Sequence, residues 1–359
     1  MACRSGAAAP PPAPAPPPVP VAAGEFQKGV CYAHAWRWGG DDGYGSETSR
    51  RTLERLHKLG VRWLSLTPFG FMPGADSTTI RYAQHRGGES DARLAEEARH
   101  AHALGMRVVL KPHLWIRHGA WQGDLAWHDD ATYRQWFDSY REFTLHFAAL
   151  AAREKFDLFV IGTELKSATR RDPAGWRALV AEVRKVYSGP LTYAANWDEA
   201  DDVKFWGDLD YVGVNAYAPL VSRPGASLAD LKAGWQRVAG QLEALARRTG
   251  KRILLTEVGY RAVRDAAMTP SSWPERDDTP AYDPAHQADC YRATFEVLWG
   301  RPWLGGIYLW KWFTDSQDES GPTDFSPAGK PAEAVLEGYY RQAPERGGRG
   351  GSAAAVQAR

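Results

Sequence analysis

Cysteine is scarce in this 359-residue chain. Cys3, Cys31 and Cys290 are too few and too scattered for a disulfide framework or a cysteine-rich metal cluster. An excess of charge of either sign is lacking as well. Lysine and arginine number 44 against 43 aspartates and glutamates, a net charge of +1, which excludes the basic field that a nucleic-acid-binding surface needs. No apolar run approaches the roughly 20 residues of a membrane-spanning helix. No G-x-G-x-x-G follows the first candidate strand, so the phosphate-cradling turn of a dinucleotide fold is missing. Aromatic residues are what the chain has in plenty: 16 Trp, 15 Tyr and 12 Phe. Such rings either fill a core or pave a cleft suited to the apolar faces of sugars, and position along the chain has to separate the two.

The first 24 residues form an Ala/Pro tract that cannot pack a core and reads as an extended, disordered tether. Cys3 followed by this spacer resembles the lipid-bearing start of a mature bacterial lipoprotein. A lipid anchor at Cys3 would place the protein in the periplasm or at the cell surface; without one it would be cytoplasmic. Residues 344–359 are rich in Gly, Arg and Ala and read as a disordered tail. Cys31 falls in an expected strand and Cys290 in an expected helix, both as small core residues.

Between tether and tail, residues 25–343 repeat one grammar. A helical pattern ends in glycine, a short polar step follows, and an apolar run comes next. "LERLHKLG" leads to "VRWLSLTPF", "EEARHAHALG" to "MRVVLKPHLW", and "LEALARRTG" to "KRILLTEVGY". Gly60, Gly105 and Gly250 fit the residue just past a helix, where a left-handed backbone favours glycine. Asp172 before Pro173 reads as a helix cap followed by a first-turn proline. The apolar runs are too continuous for strands with one wet face. Eight such runs occur, at 28–34, 61–69, 107–114, 157–165, 191–197, 211–219, 252–260 and 305–313. Eight strands alternating with helices predict a single-domain α/β (β/α)8 TIM barrel, with an open doubly wound sheet as the rival.

In such a barrel the functional site lies at the C-terminal ends of the strands. The residues at those ends include His34, Trp36, Lys111, His113, Trp115, Thr163, Glu164, Asn196, Trp197, Asn215, Tyr217, Glu257, Tyr260, Trp310 and Trp312. The loop after the third strand adds Trp121 and Trp127, and the loop after the seventh adds Trp273 and Tyr282. Two of these residues are acids that close otherwise apolar strands: Glu164 in "DLFVIGTEL" and Glu257 in "RILLTEVGY". An ionised carboxyl in an apolar setting is costly unless it is paired or used. The fourth and seventh strands lie roughly opposite each other around a ring of eight. Cleaving a glycosidic bond requires such a pair, one carboxylic acid to protonate the leaving oxygen and one carboxylate across the sugar.

These motifs also carry a family resemblance. "VIGTEL", "LLTEVGY" and "YLWKWF" resemble the clan of retaining glycosidases built on this barrel. The combination of "IGTEL", "DYVGVNAYAPL" and "TEVGY" is most similar to glycoside hydrolase family 113, a family of β-mannanases. The resemblance implies Glu164 as acid/base, Glu257 as nucleophile, Tyr217 as a donor to the nucleophile, and Trp310 as the floor of the subsite on the non-reducing side. It further implies β-1,4-mannan as substrate, with glucan and xylan as alternatives, and no cofactor. The protein would act as a monomer on a carbohydrate. Most of the clan has Asn before the acid/base; here it is Thr163. A mannose-configured 2-hydroxyl, with Asn196 or Asn215 supplying the amide, would be compatible with that change.

Two rival readings remain on the residues alone. His34, His113 and His118 invite a metal-dependent hydrolase, yet no H-x-H ends the first strand and no acidic cluster completes a ligand set. A non-catalytic glycan-binding barrel would keep the aromatic mouth without needing both glutamates.

Overall fold

Strands that are apolar throughout need cover on both faces, and parallel strands linked by helices provide it. The computed structural model describes residues 25–35, 42–82, 89–117, 119–272, 281–315 and 321–342. Cys3 with its Pro/Ala tract, the C-terminal tail, Trp36, His118 and Trp273 lie outside the described residues.

The strands are β1 (Gln27–Ala33), β2 (Trp63–Leu66), β3 (Phe69–Met72), β4 (Arg107–Leu110), β5 (His113–Ile116), β6 (Leu158–Thr163), β7 (Leu191–Asn196), β8 (Val212–Asn215), β9 (Ile253–Val258) and β10 (Leu304–Phe313). Eight of them close a parallel barrel in the order β1-β2-β4-β6-β7-β8-β9-β10, each strand beside its neighbour in sequence. The helices are α1 (Glu47–Lys58), α2 (Asp91–Ala103), α3 (Asp130–Arg153), α4 (Lys166–Arg171), α5 (Pro173–Val186), α6 (Leu228–Thr249), α7 (Pro284–Leu298) and α8 (Pro331–Tyr340). Asp172 caps α5 by accepting from the Gly175 amide ahead of a first-turn proline, as its sequence predicts. Gly60, Gly105 and Gly250 all have positive φ just past their helices. The crossover between β7 and β8 holds only a 3-10 turn, Trp206–Asp208.

The second and third apolar runs each divide in two. Pro68 separates β2 from β3, and Pro112 separates β4 from β5. A proline gives no N–H to a ladder. The two prolines stand at the same level of adjacent strands, so β3 and β5 leave the barrel together and pair with each other, and Phe71 of β3 also bridges to Arg81. The result is a short two-stranded ribbon rising from the barrel top.

Most of the aromatic content is structural. Trp136, Trp176, Trp235 and Trp312 are fully buried. Trp136 stacks on Tyr140, and Trp176 lies flat on Phe205, in the layer between strands and helices. Inside the barrel a separate small cluster, among it Cys31, Trp63, Val160, Leu254 and Tyr308, plugs the bore beneath the mouth.

Gly162 is required by close packing. A Cβ there would lie 2.7 Å from the Tyr140 hydroxyl and 3.1 Å from both the Trp176 and Tyr193 rings. Tyr140 itself donates to the Ile161 carbonyl at 2.8 Å, so its hydroxyl has little freedom to retreat. Gly162→Ala is expected to destabilise the protein by about 1–3 kcal/mol, the usual cost of overpacking, as measured by urea denaturation.

Candidate active site

Alternation along a strand sends neighbours to opposite faces, and bulges at the ends of β6 and β9 change that alternation where the two glutamates stand. On β9, Leu255 pairs with Val214 and Glu257 with Asn215, leaving one extra residue on β9. On β6, Val160 pairs with Thr192 and Thr163 with Ala194, again one extra. Bulges at barrel rims re-aim side chains. Glu164, just past the second bulge, adopts φ 52°, a left-handed conformation that costs a non-glycine residue on the order of 1 kcal/mol or more. Two hydrogen bonds hold it there: its amide donates to the Ala194 carbonyl at 2.8 Å, and the Leu165 amide donates to the Tyr193 hydroxyl at 2.6 Å. Tyr193 is fixed in turn by donating to the buried carboxyl of Glu199.

Glu257 is buried and held from two sides. The Lys111 Nζ lies 2.6 Å from Oε1 and the Tyr217 hydroxyl donates to Oε2 at 2.7 Å. Lys111 also donates to the Thr256 carbonyl at 3.2 Å and lies 3.7 Å from the Cys31 sulfur. Burial works against the charged form of Lys111. The Cys31 sulfur and the Glu257 and Glu164 carboxyls outweigh that penalty and keep its pKa above lysine's ordinary value. His113 Nε2 stands 3.8 Å from Glu257 Oε1 and makes no hydrogen bond among the described residues. Burial, with Lys111 and Lys311 nearby, pushes His113 well below the usual histidine range, so the ring is neutral. Its face stacks on Trp310 with centroids 5.7 Å apart.

Glu164 is placed differently. It is partly open at the mouth and accepts three hydrogen bonds: from Asn215 Nδ2 at 3.0 Å, Trp121 Nε1 at 2.8 Å and Gln122 Nε2 at 3.4 Å. Thr256 orients that asparagine by donating to its Oδ1. Burial, and then the charge of Glu257, push Glu164 up to about 7. The two carboxyls therefore share one electrostatic site with unlike surroundings, one facing a cation and the other only neutral donors.

The mouth thus gathers Lys111, His113, Glu164, Asn215, Tyr217, Glu257 and Trp310. Thr163 is buried beside Glu164, with a hydroxyl that makes no hydrogen bond among the described residues. Asn196 uses its Oδ1 to accept from the Trp197 amide, and Trp197 stands at the rim, 41% exposed. Trp115 is exposed on the ribbon.

Trp312 and Tyr260 correct the strand-end expectation. A bulge in β10, where Leu309 pairs with Val30 but Trp312 with Tyr32, turns Trp312 outward under Arg55 of α1. Tyr260 packs edge-on against Tyr291 of α7. Both are core residues. Trp127 packs on Tyr133 and Trp136, tying its loop down. Sequence reading missed Gln122 and Thr256 altogether, and took Trp121 for a flat ring when its indole N–H is what meets Glu164. No local motif signals these contacts, because each bridges separate loops or strands. Among the described residues no group of three or more His, Cys, Asp or Glu is placed to hold a metal ion.

A closed parallel barrel with such a carboxyl pair at its mouth has the make-up of a glycoside hydrolase. The sequence profile of Glycoside Hydrolase Family 113 matches residues 34–340, and the chain belongs to that family. Among solved structures it is similar to a β-1,4-mannanase of the family, at 30% identity over 88% of this chain and 99% of that one, with a TM-score of 0.76. It is similar also to the β-mannanase AaManA from Alicyclobacillus acidocaldarius, solved in complex with ManMIm. That likeness is 27% identity over 88% of this chain and 97% of that one, with a TM-score of 0.77. A β-glucuronidase from Ruminococcus gnavus shares the fold alone, at 12% identity, TM-score 0.60, over 88% of this chain and 50% of that one. No curated protein matches by sequence.

Two expectations follow from the electrostatics. Glu164 holds its proton more tightly folded than unfolded, so its contribution to stability falls as pH rises from about 4.5 to about 7. Glu164→Gln removes that penalty and is expected to stabilise the protein at pH 8 by on the order of 1–2 kcal/mol, with little change at pH 4; denaturation at the two pH values measures it. Lys111→Met leaves Glu257 buried without its cation. It is expected to cost about 3–5 kcal/mol at pH 8, read by urea denaturation.

Proposed function

We propose that the protein hydrolyses β-1,4-linked mannan-type polysaccharide or oligosaccharide with retention of configuration, acting as a monomer. The observation that carries this reading is the unlike setting of the two carboxyls. Glu164, pushed up to about 7, keeps a proton to give at near-neutral pH, while Glu257 faces the Lys111 ammonium and the Tyr217 hydroxyl. Family membership and the two mannanase structures supply the sugar.

In the first step a Glu257 oxygen attacks the anomeric carbon as the glycosidic C–O bond breaks, and Glu164 gives its proton to the departing oxygen. Glu164, now a carboxylate, keeps the N–H donors of Asn215 and Trp121, which suit its anionic form. In the second step Glu164 takes a proton from water, the water oxygen bonds to the anomeric carbon, and Glu257 leaves as the carboxylate. Tyr217 and Lys111 offset the charge that Glu257 loses and regains. Trp310, half-buried and stacked on His113, is the platform for the sugar being cleaved. The unpartnered Thr163 hydroxyl and His113 Nε2 supply hydrogen bonds to its hydroxyls. Asn196 and Trp197 stand further out on the side of Glu164. The lipid anchor at Cys3 remains part of the proposal on the strength of the sequence alone.

Digestion of glucomannan, galactomannan, xylan, β-glucan and chitosan, read by product size and by the anomer first released, tests the reading. Manno-oligosaccharides released first as the β-anomer are expected. Release of the α-anomer, or hydrolysis only of xylan or glucan, defeats the mechanism or the sugar respectively. Glu164→Ala and Glu257→Ala are each expected to lower kcat by roughly a thousandfold or more, with external azide restoring turnover.

A further inference from the structure

Glu199 is a buried acid that the two chemical steps do not use. It lies in the turn after β7 and is 0% exposed. Lys166, at the start of α4, pairs with Asp198 rather than with Glu199. An ionised carboxyl is costly to bury, and neutral hydrogen-bond donors have to hold it where no cation does. Three donors meet it. The Tyr193 hydroxyl at 2.7 Å and the Thr169 hydroxyl at 2.8 Å reach Oε1, and the Asn196 amide at 3.1 Å reaches Oε2. A backbone amide can only donate. Tyr193 already accepts from the Leu165 amide, so its own proton goes to Glu199. The surroundings therefore fit an acceptor at both oxygens, which is the carboxylate.

Two paths lead away from this carboxylate, and both end at Glu164. The first runs through the main chain. Tyr193 links Glu199 to the Leu165 amide, the peptide that follows Glu164 in its left-handed conformation. The second runs through the donors. Thr169 belongs to α4, and Ser167 of the same helix donates to the Gly123 carbonyl at 2.8 Å. Gly123 lies in the 3-10 turn Gln122–Asp124. A Cβ at Gly123 would stand 2.3 Å from the Trp121 ring, so the turn and that indole pack as one piece. Trp121 and Gln122 are two of the three donors to Glu164. One buried carboxylate thus braces the acid's backbone from one side and its side-chain partners from the other.

We propose that Glu199 is a positioning residue for the acid/base Glu164. Through Tyr193, and through α4 and the turn at Gly123, it holds that carboxyl where its proton meets the departing oxygen. The assignment rests on the glycosidase reading above, which gives Glu164 a proton to deliver. Proton donation matters more as the leaving group becomes more basic. A misplaced acid is therefore costly for a sugar alcohol and harmless for a phenol acidic enough to leave unaided. A general loosening of the fold slows both alike.

The test compares Tyr193→Phe, Ser167→Ala and Glu199→Gln with the parent on mannohexaose and on phenyl, nitrophenyl and dinitrophenyl β-mannobiosides. For mannohexaose and the phenyl mannobioside, kcat/KM of Tyr193→Phe is expected to fall roughly tenfold or more, carried in kcat, with the dinitrophenyl value close to the parent's. Ser167→Ala is expected to show the same dependence on leaving group with a smaller loss. Glu199→Gln keeps an acceptor for Tyr193 and Thr169 but turns an N–H toward the Asn196 amide, so it is expected to lie between Glu199→Ala and the parent. Equal losses with every leaving group, or no loss in any variant, overturn the assignment. A second readout needs no turnover. In protein with isotope-labelled tryptophan, the Trp121 indole N–H resonance is expected to titrate with Glu164, and Glu164→Gln identifies that titration by abolishing it. Glu199→Gln and Ser167→Ala are expected to shrink it; a titration unchanged in both overturns the assignment even if the parent is an active mannanase. A shrunken titration with a parent that cleaves no mannobioside keeps the bracing of Glu164 and sinks the catalytic reading instead.

Discussion

The buried contact between Lys111 and Glu257 is the constraint around which the mouth is arranged. Removing a carboxylate and an ammonium from water is expensive, and their attraction repays that cost only with good geometry and further hydrogen bonds. Both partners have those bonds. Glu257 accepts from Tyr217 as well as Lys111, and Lys111 donates to the carbonyl of the adjacent Thr256. Four barrel strands are thereby tied to one charge pair: Lys111 directly follows β4, β9 carries Glu257, β1 brings Cys31 alongside, and Tyr217 follows β8. The same pair sets the electrostatics of Glu164, whose proton is held by burial and by the charge on Glu257.

Irregularity in the strands is what makes the site possible. A strand of strict alternation would send Glu164 and Glu257 wherever its core pattern dictated. The extra residue in β6 and in β9 frees the strand end from that pattern, and Gly162 makes room for it against Tyr140, Trp176 and Tyr193. The aromatic layer outside β6 therefore bears on the site at one remove, by packing against Gly162 beside the left-handed backbone of Glu164. In β10 the same device works in reverse, placing Trp310 at the mouth and Trp312 in the core.

The paired prolines extend this logic to the rim. Pro68 and Pro112 end two adjacent barrel strands at one level, and the chain beyond them is free to pair in a plane of its own. That plane gives the protein a surface outside the eightfold ring. Its inner end brings His113 within 3.8 Å of Glu257, its outer end exposes Trp115, and its other face, with Met72, Leu114 and Ile116, is buried in the core.

Much of this was legible in the sequence because it is local. Apolar runs, helix-ending glycines and the Asp172–Pro173 cap report on neighbours a few residues away, and they predict the barrel and the strand ends. The two glutamates stood out because a carboxyl at the end of an apolar strand is conspicuous wherever the chain later goes. What the tertiary structure alone decided was direction and partnership. A one-residue bulge leaves little trace in a hydrophobic pattern yet reverses a side chain, which is why Trp312 belongs to the core. Lys111 meets Glu257 across 146 residues and Trp121 meets Glu164 across 43. Contacts between segments so far apart depend on how the whole ring closes, and no stretch of sequence read by itself contains that distance.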